Sequence, residues 1–256
     1  MWRINHIKPG LQYKSWAFLI ATTLGICPQS AYSLQVRPII FDMTAAGAGA
    51  RKTITVVNTG ATSVPVELSV NRMDLDFHGK VIQTPGGDED LLVFPPQATI
   101  PPHASQTFRI QWIGDPDITE SQSYNILVSQ LPITNESMSG KVGFNVSLGY
   151  DFLTTVTVAP FKGKSEFTVR EVEITTNKDG APAIAVTLEN TGNSHNYLCN
   201  ATVVLKGGSW KKTLPPALVR ALAGPGLVLP NHTRRIIIPV EDLPKKVKTV
   251  TATISF

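Results

Sequence analysis

From Lys141 to Phe152 the chain reads KVGFNVSLGYDF. Val142, Phe144, Val146, Leu148, Tyr150 and Phe152 alternate with Gly143, Asn145, Ser147, Gly149 and Asp151. A strand sends successive side chains to opposite faces, so the six large apolar groups share one face and small or polar groups fill the other. The apolar pattern continues through Leu153, Val156 and Val158. A strand of an ordinary sandwich is shorter, and the extra apolar face needs something to pack against.

The rest of the chain is a series of short strand signals broken by Gly, Pro, Asn and Asp. Strands are predicted near Leu34–Phe41, Lys52–Asn58, Val64–Met73, Leu91–Phe94, Gln106–Trp112, Tyr124–Leu131 and Val142–Val158. Seven strands suit one immunoglobulin-like sandwich. The stretch APFKGKS (159–165) reads as a linker. A second all-β unit follows, with strands near Glu166–Thr175, Ala183–Glu189, Tyr197–Leu205, Leu227–Leu229, Arg235–Pro239 and Thr249–Ser255. LVRALAG (218–224) has room for one helical turn between its flanking prolines. The predicted fold is all-β, two immunoglobulin-like β-sandwich domains in tandem, residues 34–160 and 161–256.

An internal echo supports two related domains. ITVVNTG (54–60) recurs as VTLENTG (186–192), each a strand closing in an Asn-Thr-Gly turn. IPPHASQTFRI (100–110) recurs as LPNHTRRIII (229–238), each a proline-broken turn with a histidine before a strand. The offsets are 132 residues for the first pair and 129 for His103 and His232. That reading gives the two histidines equivalent structural positions.

The first 33 residues change the reading of charge and compartment. Arg3, Lys8 and Lys14 precede the apolar run WAFLIATTLGIC (16–27), and Ala31 and Ser33 are the small residues that a signal peptidase reads. A secretory signal cleaved after about Ser33 is expected. The run is short for a membrane span, so no membrane insertion is expected after cleavage. The formal charge of +4 includes three positives from the signal. The mature chain is nearly neutral, and a nucleic-acid partner loses its support. Cys27 leaves with the signal, so Cys199 has no internal disulfide partner and reads as a small buried residue on a strand.

Residues for chemistry are sparse. His78, His103, His195 and His232 do not pair at metal-ligand spacing with Cys, His or carboxylates. No Gly-x-Ser-x-Gly elbow or phosphate-cradling loop occurs. GGDED (86–90) reads as a solvated acidic loop. The expectation is a binding module with no cofactor, no metal and no enzymatic activity.

Five blocks stand in order: LQVRPIIF (34–41), ITVVNTG (54–60), LLVFPPQATIPPHASQTFRIQW (91–112), ESQSYNILVSQLP (120–132) and the long alternating strand ending in VAP (158–160). Together they resemble the periplasmic pilus chaperones of the chaperone–usher pathway, of an archaic or alternative branch. The resemblance implies a periplasmic protein that binds pilus or fimbrial subunits by donor-strand complementation and delivers them to an outer-membrane usher. It makes Val142, Phe144, Val146, Leu148 and Tyr150 the donor strand. It also implies a basic anchor for the subunit's C-terminal carboxylate, an arginine on the first strand and a lysine on the seventh. Here Val142–Val158 has no lysine, and counting back from Pro160 places Thr155 there. Aligning Phe41 with the family's aromatic places Pro38 at the first position. Lys141, Arg109 and Arg37 are the candidate anchors. The alternative reading is a secreted immunoglobulin-like structural or adhesive surface subunit.

Overall fold

The computed structural model describes residues 34–132 and 149–256, which belong to one compact unit. The signal, Lys141 and the donor positions Val142, Phe144, Val146 and Leu148 lie outside the described residues. The first part holds β1 (Leu34–Arg37), β2 (Ile40–Thr44), β3 (Arg51–Asn58), β4 (Val64–Leu75), β5 (Val81–Pro85), β6 (Leu91–Phe94), β7 (Gln97–Ile100), β8 (Ser105–Trp112), β9 (Gln122–Gln130) and β10 (Asp151–Ala159). One sheet runs β1-β3-β8-β6; the other runs β2-β10-β9-β4-β5, with β7 also paired to β4. Alternate residues of the two sheets meet in one core, including Ile54, Val56, Phe108 and Ile110 against Val66, Leu68, Ile126, Val128, Val156 and Val158.

The single first strand expected at Leu34–Phe41 is divided between the sheets. β1 runs antiparallel to β3, whereas β2 runs parallel to β10. Pro38 lies at the crossing and brings no N–H to a ladder, which suits a break between sheets. β5 and β7 are additional strands. β5 is exposed along its whole length, so its sequence VIQTP carries no alternation to reveal it.

The second part holds β11 (Phe167–Thr176), β12 (Pro182–Asn190), β13 (Asn196–Tyr197), β14 (Thr202–Gly207), β15 (Trp210–Leu214), α1 (Pro216–Ala223), β16 (Leu227–Val228), β17 (Thr233–Pro239) and β18 (Thr251–Ser255). It has sheets β11-β12-β17 and β15-β14-β18 and a separate two-stranded ribbon, β13-β16. Ile184, Val186, Leu188, Ile236 and Ile238 pack on Val203, Leu205 and Leu214, with Val219 of α1 closing one end. The expected Tyr197–Leu205 strand is interrupted by a 3₁₀ turn, Leu198–Asn200. Cys199 lies in that turn and is partly exposed, not buried on a strand. α1 is eight residues long, twice the expected turn, because prolines are tolerated at a helix start.

The echo is a repeated piece of hydrogen bonding. Asn58 is buried; its amide donates to Ile100 O at 3.0 Å and its Oδ1 accepts the Gly60 N–H at 2.9 Å. Asn190 is buried likewise, donating to Ser194 O at 2.8 Å and Val228 O at 3.2 Å and accepting from Gly192 N–H at 3.1 Å. In each part the Asn N–H also donates into the proline turn, Asn58 to Ala104 O and Asn190 to His232 O. This register corrects the histidine pairing. Ala104 matches His232, and His103 matches Asn231; those last two have positive φ, 55° and 59°.

Candidate functional site

The even-numbered row of β10 traces the edge of the core. Val158, Val156 and Thr154 are fully buried. Phe152 packs on the core from partial cover, and Tyr150 is 43% exposed. Backbone pairing continues past that point, since Gln130 N–H donates to Tyr150 O at 2.9 Å. The apolar row thus leaves its own core between Phe152 and Tyr150 while the strand direction persists. Leu153, on the opposite face, is 44% exposed.

That opposite face of the β2-β10-β9-β4 sheet meets the second part of the chain. Thr155 stands opposite Ile40 and Asn125 in the ladder, and its Oγ1 donates to Asn125 Oδ1 at 3.2 Å. Asn125 Nδ2, buried below it, has no acceptor among the described residues. A groove of about 170 Å³ opens here, with Ile40, Met73, Leu75, Thr155, Leu227 and Arg234 among its walls. Met73, Leu227 and Leu229 form a small apolar cluster beside it.

Arg234 is the cation of this groove. It lines the groove together with Gly79, whose φ of +76° favours glycine. Arg234 Nε is buried and unpaired, and among the described residues its side chain has no hydrogen bond or ion pair. Burial lowers its pKa, offset in part by Asp76. The arrangement is a half-buried cation beside apolar walls, which favours a ligand carrying a carboxylate on an apolar body.

The other candidate cations lie elsewhere. Arg37 ends β1 opposite Thr55, exposed, and donates to Gln35 Oε1 at 2.8 Å. Arg109 is exposed on β8 opposite Thr53 and Phe94. Thr53 and Thr55 share a face of β3, so both arginines stand on the outer face of the sheet that lacks β10. Neither lines the groove. The GGDED loop is tied down: Asp90 accepts the Tyr124 hydroxyl at 2.8 Å, and Arg72 reaches Asp90 at 2.6 Å and Glu89 at 2.7 Å.

A polar joint fixes the second part against the first. Asp42 Oδ1 accepts the Tyr197 hydroxyl at 2.6 Å and lies 3.0 Å from His195 Nε2. His195 Nδ1 is 3.0 Å from Ser121 Oγ, which also accepts the His195 backbone N–H at 3.1 Å. Burial raises the Asp42 carboxyl, but the hydrogen bonds from His195 and Tyr197 and the charges of His195 and Lys52 outweigh it, so its pKa is lowered. Burial, then the Asp42 hydrogen bond, raises the Tyr197 phenol. Asp, His and Ser in series have the members of a hydrolytic triad. Ser121 is buried, however, and its oxygen is held by the backbone of the histidine it would need as base. The series is a strut. Three strands and loops far apart in sequence supply it, and no local motif signals it. Among the described residues no group of His, Cys, Asp and Glu is placed to hold a metal ion, and no helix is long and apolar enough to cross a membrane.

No family model and no curated protein matches the sequence. The similarity is in the fold. A chain from a chaperone–tip adhesin complex of CFA/I fimbriae biogenesis superposes with TM-score 0.52 at 12% identity, over 87% of this chain and 97% of that one. The class 5 fimbriae chaperone CfaA gives 0.50 at 13%, over 88% and 99%. A chain from the Salmonella enterica complex of SafA pilin with the SafB chaperone gives 0.50 at 15%, over 81% and 85%. Over most of its length, the chain has the two-sandwich immunoglobulin-like fold of these fimbrial chaperone structures.

Proposed function

We propose that the protein is a periplasmic, non-enzymatic chaperone that lends pilus subunits the strand leading into β10 and hands them to an outer-membrane usher. The observation that carries this reading is the apolar row that leaves its own core at Tyr150 and, in sequence, continues as Leu148, Val146, Phe144 and Val142. A subunit sandwich lacking a strand exposes two unpaired edges and a row of core side chains, which would otherwise aggregate. A lent strand supplies hydrogen bonds to the edges and apolar groups to the gap. Burying five such side chains contributes on the order of 10 kcal/mol, at roughly 1.5–3 kcal/mol each, against association costs of similar size.

The domains in this reading are residues 34–160, which carry the donor strand, and 161–256, which close the groove. The subunit's terminal carboxylate is anchored by Arg234, with Lys141 at the entrance to the donor strand. What supports Arg234 over Arg37 and Arg109 is its place beside Thr155 and its lack of a partner among the described residues. The test is co-expression with a pilus subunit from the same organism: a stoichiometric complex recovered from periplasm is expected. Recovery of the protein alone, with equal subunit yield when its gene is deleted, contradicts the reading.

A further inference from the structure

Charge is segregated along this chain. Residues 34–160 hold seven Lys and Arg against twelve Asp and Glu, whereas residues 161–256 hold thirteen against seven. Much of the excess gathers at one place, the tip of the β14–β15 hairpin. Lys206 and Lys211 stand directly opposite each other in the ladder. Like charges so placed destabilise a sheet pair. Lys246 and Lys248 line a shallow depression with the hairpin turn Gly207–Ser209. Val247 between them packs onto Gly207, where an added Cβ would fall 2.6 Å from its Cγ1. The segment therefore lies against the turn, with a lysine on either side of Val247.

All four lysines are exposed, and none has an ion pair among the described residues. The nearby acid Asp242 is occupied: it accepts Trp210 Nε1 at 3.0 Å and pairs with Lys212 at 3.1 Å. At Gly208 the tip projects into open space, since an added Cβ there meets nothing within 4 Å.

We propose that this hairpin tip docks on an anionic phospholipid bilayer. A defined carboxylate or phosphate on a folded partner is met best by the planar fork of arginine. Compact, mobile lysine charges on an unobstructed projection suit a diffuse plane of negative headgroups, where each adds to a salt-screened attraction. This surface shares no residue with the groove, so it is tested independently of subunit binding.

The test is co-sedimentation of the purified protein with vesicles of phosphatidylethanolamine and phosphatidylglycerol, or of phosphatidylethanolamine and phosphatidylcholine. Binding to the anionic vesicles alone is expected, weakening as salt rises. Lys246→Glu/Lys248→Glu should weaken it about tenfold or more, while Lys162→Glu/Lys178→Glu, with the same net charge, should change it little. Lys211→Glu relieves the opposed pair; it should leave thermal stability equal or higher and still weaken vesicle binding. Absence of binding to anionic vesicles, equal losses in the two double variants, or displacement by inorganic phosphate beyond chloride of equal ionic strength would each overturn the proposal. The last result would indicate a discrete anion pocket instead.

Discussion

Tyr197 and Asp42, 155 positions apart, meet through a 2.6 Å hydrogen bond. The bond ties the second sandwich to the outer face of the first beside the groove that Arg234 lines. Removing the phenol oxygen leaves Asp42 with His195 alone. Tyr197→Phe is expected to cost about 1 kcal/mol, and Asp42→Asn a similar amount because the carboxylate is half exposed. The pH dependence has a definite sign. A carboxyl whose pKa is lowered on folding stabilises above its ordinary value, 3.8, and that stability is lost as pH falls through the lower folded value. Thermal unfolding from pH 6 down to pH 3 should therefore show a loss in the wild type that is smaller in Asp42→Asn. Identical pH profiles would exclude the joint as a contributor.

The paired asparagines predict a symmetric result. Asn58 and Asn190 each satisfy buried backbone groups on both sides of a turn. Alanine at either leaves those groups unpaired, at about 1–3 kcal/mol per site. Chemical denaturation of Asn58→Ala and Asn190→Ala should show both destabilised, far beyond an exposed control such as Gln83→Ala on β5. A neutral result at either site contradicts the structural repeat.

These turns were legible in the sequence because their chemistry is local: an Asn, a Gly and a proline turn at fixed spacing. The alternation of β3, β8 and β10 was legible for the same reason, since a period of two reports a half-buried strand directly. Pro38 was visible, but the change of partner across it, from β3 for β1 to β10 for β2, depends on strands distant in sequence. β5 escaped because every residue is exposed. The two histidines are one position out of register because the positive-φ site of the turn is filled by His103 in the first part and by Asn231 in the second, a difference of backbone conformation that residue identity does not report. Arg234 and the Asp42–His195–Ser121 series left no signal, since only the folded arrangement of distant segments brings them to the groove and joint.

Cys199 makes a modest prediction. It lies in a 3₁₀ turn with its Sγ 3.6 Å from Asn200 Oδ1, a weak contact at best. Cys199→Ala should leave subunit binding unchanged and alter thermal stability by less than about 1 kcal/mol. A loss of binding at unchanged stability would give the thiol a role that nothing in the fold assigns.

Arg234 makes a sharper one. If its guanidinium holds a subunit carboxylate, Arg234→Ala should weaken subunit binding by about 2 kcal/mol, roughly thirtyfold in Kd. Lys141→Ala should act in the same direction. Arg37→Ala and Arg109→Ala, on the far sheet, should act weakly. Titration of each variant with a refolded subunit measures this. A strong effect at Arg37 with none at Arg234 would return the anchor to the first strand.

The central claim is that the apolar row of one strand is divided between two owners. Val156 is fully buried in the protein's own core, so Val156→Asp should destabilise the free protein by about 3–5 kcal/mol through an unpaired buried charge. In the proposed function Leu148 belongs to the strand lent to the partner. Leu148→Asp should leave the unfolding temperature of the free protein nearly unchanged and abolish capture of a pilus subunit. The decisive measurement is thermal unfolding of the two free variants alongside subunit pulldown. Stable Leu148→Asp that captures no subunit is the predicted result; Leu148→Asp that unfolds as readily as Val156→Asp would make the whole strand ordinary core and contradict the account.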